Sequence, residues 1–264
     1  MHIDLTGKRA IVTGSTAGIG FAIASGLAEC GATVIINGRS EASVQAAKQR
    51  LTQKLPGAKV EAVAGDLSTA EGATTFIAKA GDADILVNNV GIFEPKPFPE
   101  IPDVDWQRFF DINVMSGVRL SRHYLPPMMK RNWGRIVFIS SESGINIPVE
   151  MVHYGVTKTA QLALALGLAA TAAGTGVTVN SVLPGPTRSE GVVDFLGKLG
   201  AGQNLSQAEL EAKLISEGRP SSIIRRLATP VEVANMVVYV CSPQASATTG
   251  AALRVDGGVV RSVV

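Results

Sequence analysis

Hydrophobic positions fall into short β-branched runs that alternate with longer stretches of three-to-four-residue spacing. "RAIVTG" (9–14) is a strand pattern ending on glycine, and residues 18–30 then space their apolar side chains as a helix does. "ATVIING" (32–38) predicts a second strand. "SEASVQAAKQRLTQKL" (40–55) predicts a helix capped by Ser40, with Ser43 in its first turn. "KVEAVAGD" (59–66), a helix near 69–80 and "ADILVNNVG" (83–91) repeat the rhythm. After a proline-rich loop, residues 103–131 read as one long helix broken near Pro126 and Pro127. "GRIVFISS" (134–141), an alanine-rich helix from about 150, "GVTVNSVLPG" (176–185) and "AALRVDGG" (251–258) complete the pattern. Seven strands with helical crossovers predict a doubly wound, seven-stranded parallel α/β sheet, Rossmann-like, in a single domain over 1–264.

One interval breaks the rhythm. More than forty residues separate Pro184-Gly185 from a helix starting near Pro230, and connections of that length are functional unless disordered. The spacing of Leu205, Leu210, Leu214 and Ile215 predicts short helices there, forming a substrate lid over approximately 187–218.

Composition narrows the classes. With 46% hydrophobic and 17% charged residues the chain is globular, and a net charge of +2 argues against nucleic acid or an acidic membrane as partner. Cys30 and Cys241, far apart and beside small or apolar residues, suggest reduced thiols. No apolar run is long enough to span a bilayer, and the first residues carry charge where a signal peptide is apolar, so a cytoplasmic location is expected. His2, His123 and His153 share no ligand spacing with the cysteines, so no metal site is expected.

"TGSTAGIG" places Gly14, Gly18 and Gly20 between the first strand and the first helix, where backbone N–H groups can approach a pyrophosphate. The spacing differs from the G-x-G-x-x-G fingerprint. At the end of the second strand, "IINGRS" offers no carboxylate for a ribose hydroxyl; Arg39 follows instead, and a guanidinium suits a 2′-phosphate. NADP(H) is therefore favoured over NAD(H), although Ala17 adds no second positive charge.

Tyr154 and Lys158 lie four apart, on one face of a helix about one turn apart. A nearby ammonium favours phenolate, and a tyrosine lowered by two or three units from about 10 would work as an acid–base group near neutral pH. A Ser141–His153–carboxylate triad is disfavoured, because adjacent helical residues such as His153 and Tyr154 point in different directions.

"TGSTAGIG", "NNVG" (88–91), "YGVTK" (154–158), "LPG" (183–185) and "VDGG" (255–258) stand in the order and spacing of the short-chain dehydrogenase/reductase family, and the chain resembles its subgroup of roughly 250 residues. The resemblance implies Tyr154 as general acid/base, with Lys158 binding the nicotinamide ribose and lowering the tyrosine pKa. It also implies Ser141 on the substrate oxygen, and Asn113 helping to hold a water that links Lys158 to solvent. For the cofactor it implies Ser15, Thr16 and Ile19 beside the three glycines, Asp66 and Leu67 at the adenine, and Asn89, Gly91, Pro184, Gly185 and Thr187 towards the nicotinamide. Val90 replaces the commoner alanine of "NNAG".

Candidate pocket walls are Phe93, Glu142, Ile145, Ile147 and His153, with Phe195 and Leu196 on the inner face of the lid. The mixture fits a medium-sized, partly apolar ketone or a polyol. The leading function is an NADP(H)-dependent carbonyl reductase or alcohol dehydrogenase. The alternatives are a 3-oxoacyl-thioester reductase, with Arg188, Lys198, Arg225 and Arg226 as a basic patch, or a sugar-acid or polyol dehydrogenase that could be NAD-linked. A non-catalytic nucleotide sensor is the remote one. The helix after Tyr154 is apolar all round, which predicts self-association, as a homotetramer or failing that a dimer.

Overall fold

Every strand run of the sequence becomes a strand in the computed structural model, which describes residues 2–199 and 205–263. The strands are β1 (Arg9–Val12), β2 (Thr33–Gly38), β3 (Val60–Ala64), β4 (Ile85–Asn88), β5 (Gly134–Ile139), β6 (Val177–Pro184) and β7 (Ala252–Val255). They form one parallel sheet in the order β3-β2-β1-β4-β5-β6-β7. Alternation along the strands feeds two cores. Val12, Val34, Ile36 and Val87 face one layer of helices, α1 (Gly18–Glu29), α2 (Glu41–Lys54) and α9 (Pro230–Cys241). Ile11, Ile35, Leu86 and Phe138 face the other, α3 (Ala70–Ala80), α5 (Ser116–Lys130) and α6 (Val152–Thr171). Strands buried on both sides must be apolar at successive positions, which is why they stand out so clearly in the sequence.

Helix starts follow their caps. The Ser40 hydroxyl accepts from the Ser43 N–H at 3.3 Å, and Thr69 and Thr229 do the same for α3 and α9. The stretch 103–131 departs from expectation. It is helical throughout as α4 (Asp103–Phe110), a π-helical segment (Asp111–Met115) and α5, which runs straight through Pro126 and Pro127. The prolines are tolerated because they leave the carbonyls of Arg122 and His123 without helical partners on an exposed face, where water can satisfy them.

The interval after β6 holds α7 (Glu190–Leu199), α8 (Gln207–Lys213) and a π-helical turn (Leu214–Gly218). Leu210 and Ile215 are buried as their spacing predicts. Residues 200–204, inside the expected lid, lie outside the described residues.

Candidate active site

β1 and β4 are neighbours from which the chain departs towards opposite edges of the sheet, so their carboxyl ends open a crevice. The glycine turn crosses it. Gly18 has φ 57°, the left-handed region where a side chain is strained. At Gly20 a Cβ would stand 2.4 Å from the Gly14 carbonyl oxygen, so only glycine lets the turn pack this closely. Polar cross-links hold it. The Asn37 amide accepts from Gly14 N–H and donates to the carbonyls of Val63 and Gly65. The Thr13 hydroxyl accepts from Asn89 and Val90, and the Asn89 amide donates to the carbonyls of Thr13 and Gly14. Asn37 is a site residue that the sequence did not single out; its only signal was a polar residue inside an apolar strand.

These residues fit a dinucleotide. α1 begins after Ala17 with no side-chain hydrogen bond to its first N–H groups, whereas α2, α3 and α9 are capped by a hydroxyl. An uncapped helix start beside a tight glycine turn leaves N–H donors and a positive dipole end for a pyrophosphate. Arg39 is exposed just after β2. The Ser68 hydroxyl and N–H hold the Asp66 carboxyl below its usual range, with a smaller contribution from Arg39, while Leu67 is buried beneath. A second cation does stand beside the turn: Arg50 donates to the Thr16 carbonyl at 2.7 Å and lies over the Phe21 ring. It reaches back from the third turn of α2, a distance in sequence that no motif spans.

At the other side of the crevice β5 delivers Ser141, the first turns of α6 deliver Tyr154 and Lys158, and the π-helical segment delivers Asn113. Ser141 and Tyr154 line the same cavity, and Ser141 pulls the Tyr154 phenol down in pKa. The Lys158 ammonium lies 5.6 Å from the centre of the Tyr154 ring and donates to the Ile139 carbonyl at 2.9 Å and to Gln161 Oε1 at 3.2 Å. The Asn113 carboxamide is spent on structure, accepting from Ile92 N–H and donating to Ile92 O and Thr157 Oγ1. The Asn113 main-chain carbonyl accepts from Gln161 Nε2 at 2.6 Å. Gln161 escaped the sequence reading because it follows the Tyr-Lys motif inside an apolar helix.

The expected lowering of the tyrosine does not appear. Burial pushes Tyr154 up to about 12; Ser141 and Arg219 pull the other way and Glu142 adds to the rise. Burial pulls Lys158 down to about 7. Desolvation wins because the lysine spends its hydrogens on Ile139 and Gln161 while its partner phenol sits in an apolar wall.

Ile19, Asn89, Gly91, Ser141, Tyr154, Lys158, Pro184, Gly185 and Thr187 line one cavity; Gly14, Ser15, Thr16, Gly18 and Gly20 belong to the adjoining turn. Phe93, Glu142 and Phe195 line it too, Phe93 standing edge-on to both Tyr154 and Phe195. Four of the expected lining residues lie elsewhere. His153 is buried between Phe109 and Trp106, on the side of α6 turned away from the tyrosine, and burial lowers its pKa. Ile145 and Ile147 are 41% and 39% exposed, because the 3-10 turn Glu142–Gly144 leads the chain outward. Leu196 packs on the far face of α7 towards Leu210 and Val149. Val192 and Leu214 of the expected lid line the cavity, as do Met151 and Arg219, which were not foreseen. Arg219 pairs with Glu142 at 2.7 Å and with Glu150 at 3.2 Å.

A family model described as short chain dehydrogenase matches residues 8–196. The chain belongs to the short-chain dehydrogenase family. It is 51% identical over 263 residues to the uncharacterized oxidoreductase YvaG of Bacillus subtilis (strain 168), covering all of both chains. It is 34% identical to the 3-oxoacyl-[acyl-carrier-protein] reductase FabG of Aquifex aeolicus, covering 98% of this chain and all of that one. The crystal structure of L-sorbose reductase from Gluconobacter frateurii, complexed with NADPH and L-sorbose, superposes with a TM-score of 0.94 at 31% identity over the whole of both chains. The protein is thus an oxidoreductase of CH–OH groups with a nicotinamide cofactor. No helix among the described residues is long and apolar enough to cross a membrane.

Proposed function

We propose that the protein interconverts ketones and secondary alcohols with NADP(H), Tyr154 exchanging the proton with the substrate oxygen. The observation that carries this reading is that Ser141, Tyr154 and Lys158 meet on the wall of one cavity that Gly185 and Asn89 also line. The bound cofactor supplies the hydride. Gly14, Gly18 and the free N–H groups of α1 hold its pyrophosphate, Asp66 and Leu67 border its adenine, and Pro184, Gly185 and Thr187 hold the nicotinamide end. Arg39, with Arg50 behind the turn, supports NADP(H) over NAD(H) through the charge a 2′-phosphate requires.

A phenol with a pKa of about 12 is protonated throughout the neutral range and ready to donate. As a carbonyl oxygen gains charge, Ser141 donates to it and Tyr154 gives it the proton. Lys158 holds the ribose and, when charged, stabilises the phenolate left behind. Phe93, Val192, Phe195 and Leu214 exclude water from the reacting carbon. Val192, Phe195 and Leu214 belong to the segment after β6, which acts as the lid through them.

The Glu142–Arg219 pair gives this cavity one polar end beside its aromatic wall, which supports a hydroxylated, partly apolar ketone. L-sorbose reductase, whose structure this one resembles, agrees with that choice. Acyl-carrier substrates are less well served: Arg188 and Arg226 of the expected basic patch are already paired with Glu211 and Glu232, and the Lys198 side chain lies outside the described residues. The outward side of α6, where Leu166 is 59% exposed, suits the same helix of a second subunit in a cytoplasmic homotetramer. A monomer of 27.5 kDa by light scattering would contradict the assembly.

The test is consumption of NADPH with ketoses, alkyl and aryl ketones and 3-oxoacyl thioesters. Turnover in at least one class supports the reading. NADPH binding with no turnover on any of them, in either direction, would leave a nucleotide sensor and sink it.

A further inference from the structure

Gln161 is fully buried, 1% exposed, and sits between two members of the site. Its Oε1 accepts from the Lys158 ammonium at 3.2 Å and its Nε2 donates to the main-chain carbonyl of Asn113 at 2.6 Å. That carbonyl lies in the π-helical segment Asp111–Met115, where the ordinary helical register is interrupted, and such segments are frequent at functional sites. A carboxamide carries one donor end and one acceptor end, so it can tie an ammonium to a carbonyl; neither Leu nor Glu has both ends.

We propose that Gln161 is a positioning residue that orients Lys158 and couples it to Asn113, so that it sets the pH at which the Tyr154–Lys158 pair works. The inference rests on Tyr154 being the acid–base group. A buried ammonium persists only where acceptors satisfy it. Lys158 has two protein acceptors, Ile139 O from β5 and Gln161 Oε1 from its own helix. Gly91, from the loop after β4, closes over it: a Cβ there would lie 3.3 Å from Nζ. The titratable or charged groups bearing on the pair are Tyr154 itself and, acting on Tyr154, Glu142 and Arg219. Removing the Gln161 acceptor disfavours the charged lysine. A less charged lysine stabilises phenolate less, so alcohol oxidation, which needs the phenolate, moves to higher pH.

The test compares wild type with Gln161→Met, which keeps the volume and loses both hydrogen bonds. Alcohol oxidation is followed across pH, alongside NADP⁺ affinity and the thermal midpoint. The expected result is a rising limb of kcat displaced upward by about half a pH unit or more, with cofactor affinity changed less than about threefold. A uniform loss of rate with an unmoved limb would make Gln161 merely structural, and an unchanged profile would overturn the inference equally. Should the Met variant not fold, the same limb is read on Gln161→Asn, whose amide is one carbon too short to span both partners. Tyr154→Phe separates the two readings: activity surviving that change undermines the acid–base assignment whatever Gln161 does.

Discussion

The floor of the cavity and the segment above it are built by different means. On the floor, the side chains of Thr13, Asn37 and Asn89 bind four strand ends and the glycine turn through backbone partners. The segment after β6 is anchored at its start by a backbone bridge from Thr187 to Ala228, and beyond that chiefly by side chains, Arg188–Glu211 within it and Arg219–Glu142 across the cavity. Its apolar contacts run through Phe195 to Phe93. Backbone-held geometry fixes the chemistry, while side-chain-held geometry can change substrate without disturbing the fold.

The sharpest way to strain this comparison is at Lys158, on the floor. Lys158→Met should abolish turnover by about a thousandfold or more while raising the thermal midpoint by a few degrees. The sign follows from the buried amine. Its folded pKa of about 7 lies below the ordinary 10.5, so folding releases a proton between those pH values and stability falls as pH drops from 10.5 through 7. The variant should flatten the pH dependence of the midpoint in that window. A destabilised Met variant would contradict the burial argument.

Arg39→Ala should weaken NADPH by about ten- to a hundredfold and leave NADH nearly unchanged, the worth of one charge-assisted contact. Equal losses for both cofactors, in a fluorescence titration, would remove Arg39 from 2′-phosphate recognition. Above the cavity, Arg219→Met leaves the buried Glu142 carboxylate unpaired. It should lower kcat/KM for ketone by about tenfold with cofactor affinity intact, because the floor does not depend on it. His153→Phe should change kcat/KM by less than about twofold, since the ring packs against Phe109 and Trp106 away from the cavity. A large loss there would bring His153 back to the pocket.

The floor was legible because its signals are local. Apolar strands, glycines and the Tyr154–Lys158 spacing each occupy a few adjacent residues, and Ser141 sits at the end of a strand run. Arg50 and Gln161 were missed because they act from the third turn of one helix and the middle of another, on partners brought near only by the fold. The segment above was legible as a long connection with two short helices, but not by face: Phe195 and Leu196 are adjacent, and one points to the cavity while the other packs behind it. Ile147 and His153 failed likewise, since which way a helix or turn faces depends on its packing partners. Burial opposes the expected lowering of the tyrosine. Proximity of Lys158 was counted and desolvation was not.

The central claim is that Tyr154 moves the proton. It is tested most directly by the turnover of Tyr154→Phe with NADPH and the best ketone of the panel, measured beside its NADPH affinity. Turnover should fall by about a thousandfold or more, with affinity within about twofold of wild type. A phenylalanine variant retaining turnover within about tenfold would contradict the account, and the proton donor would have to be sought elsewhere in the cavity.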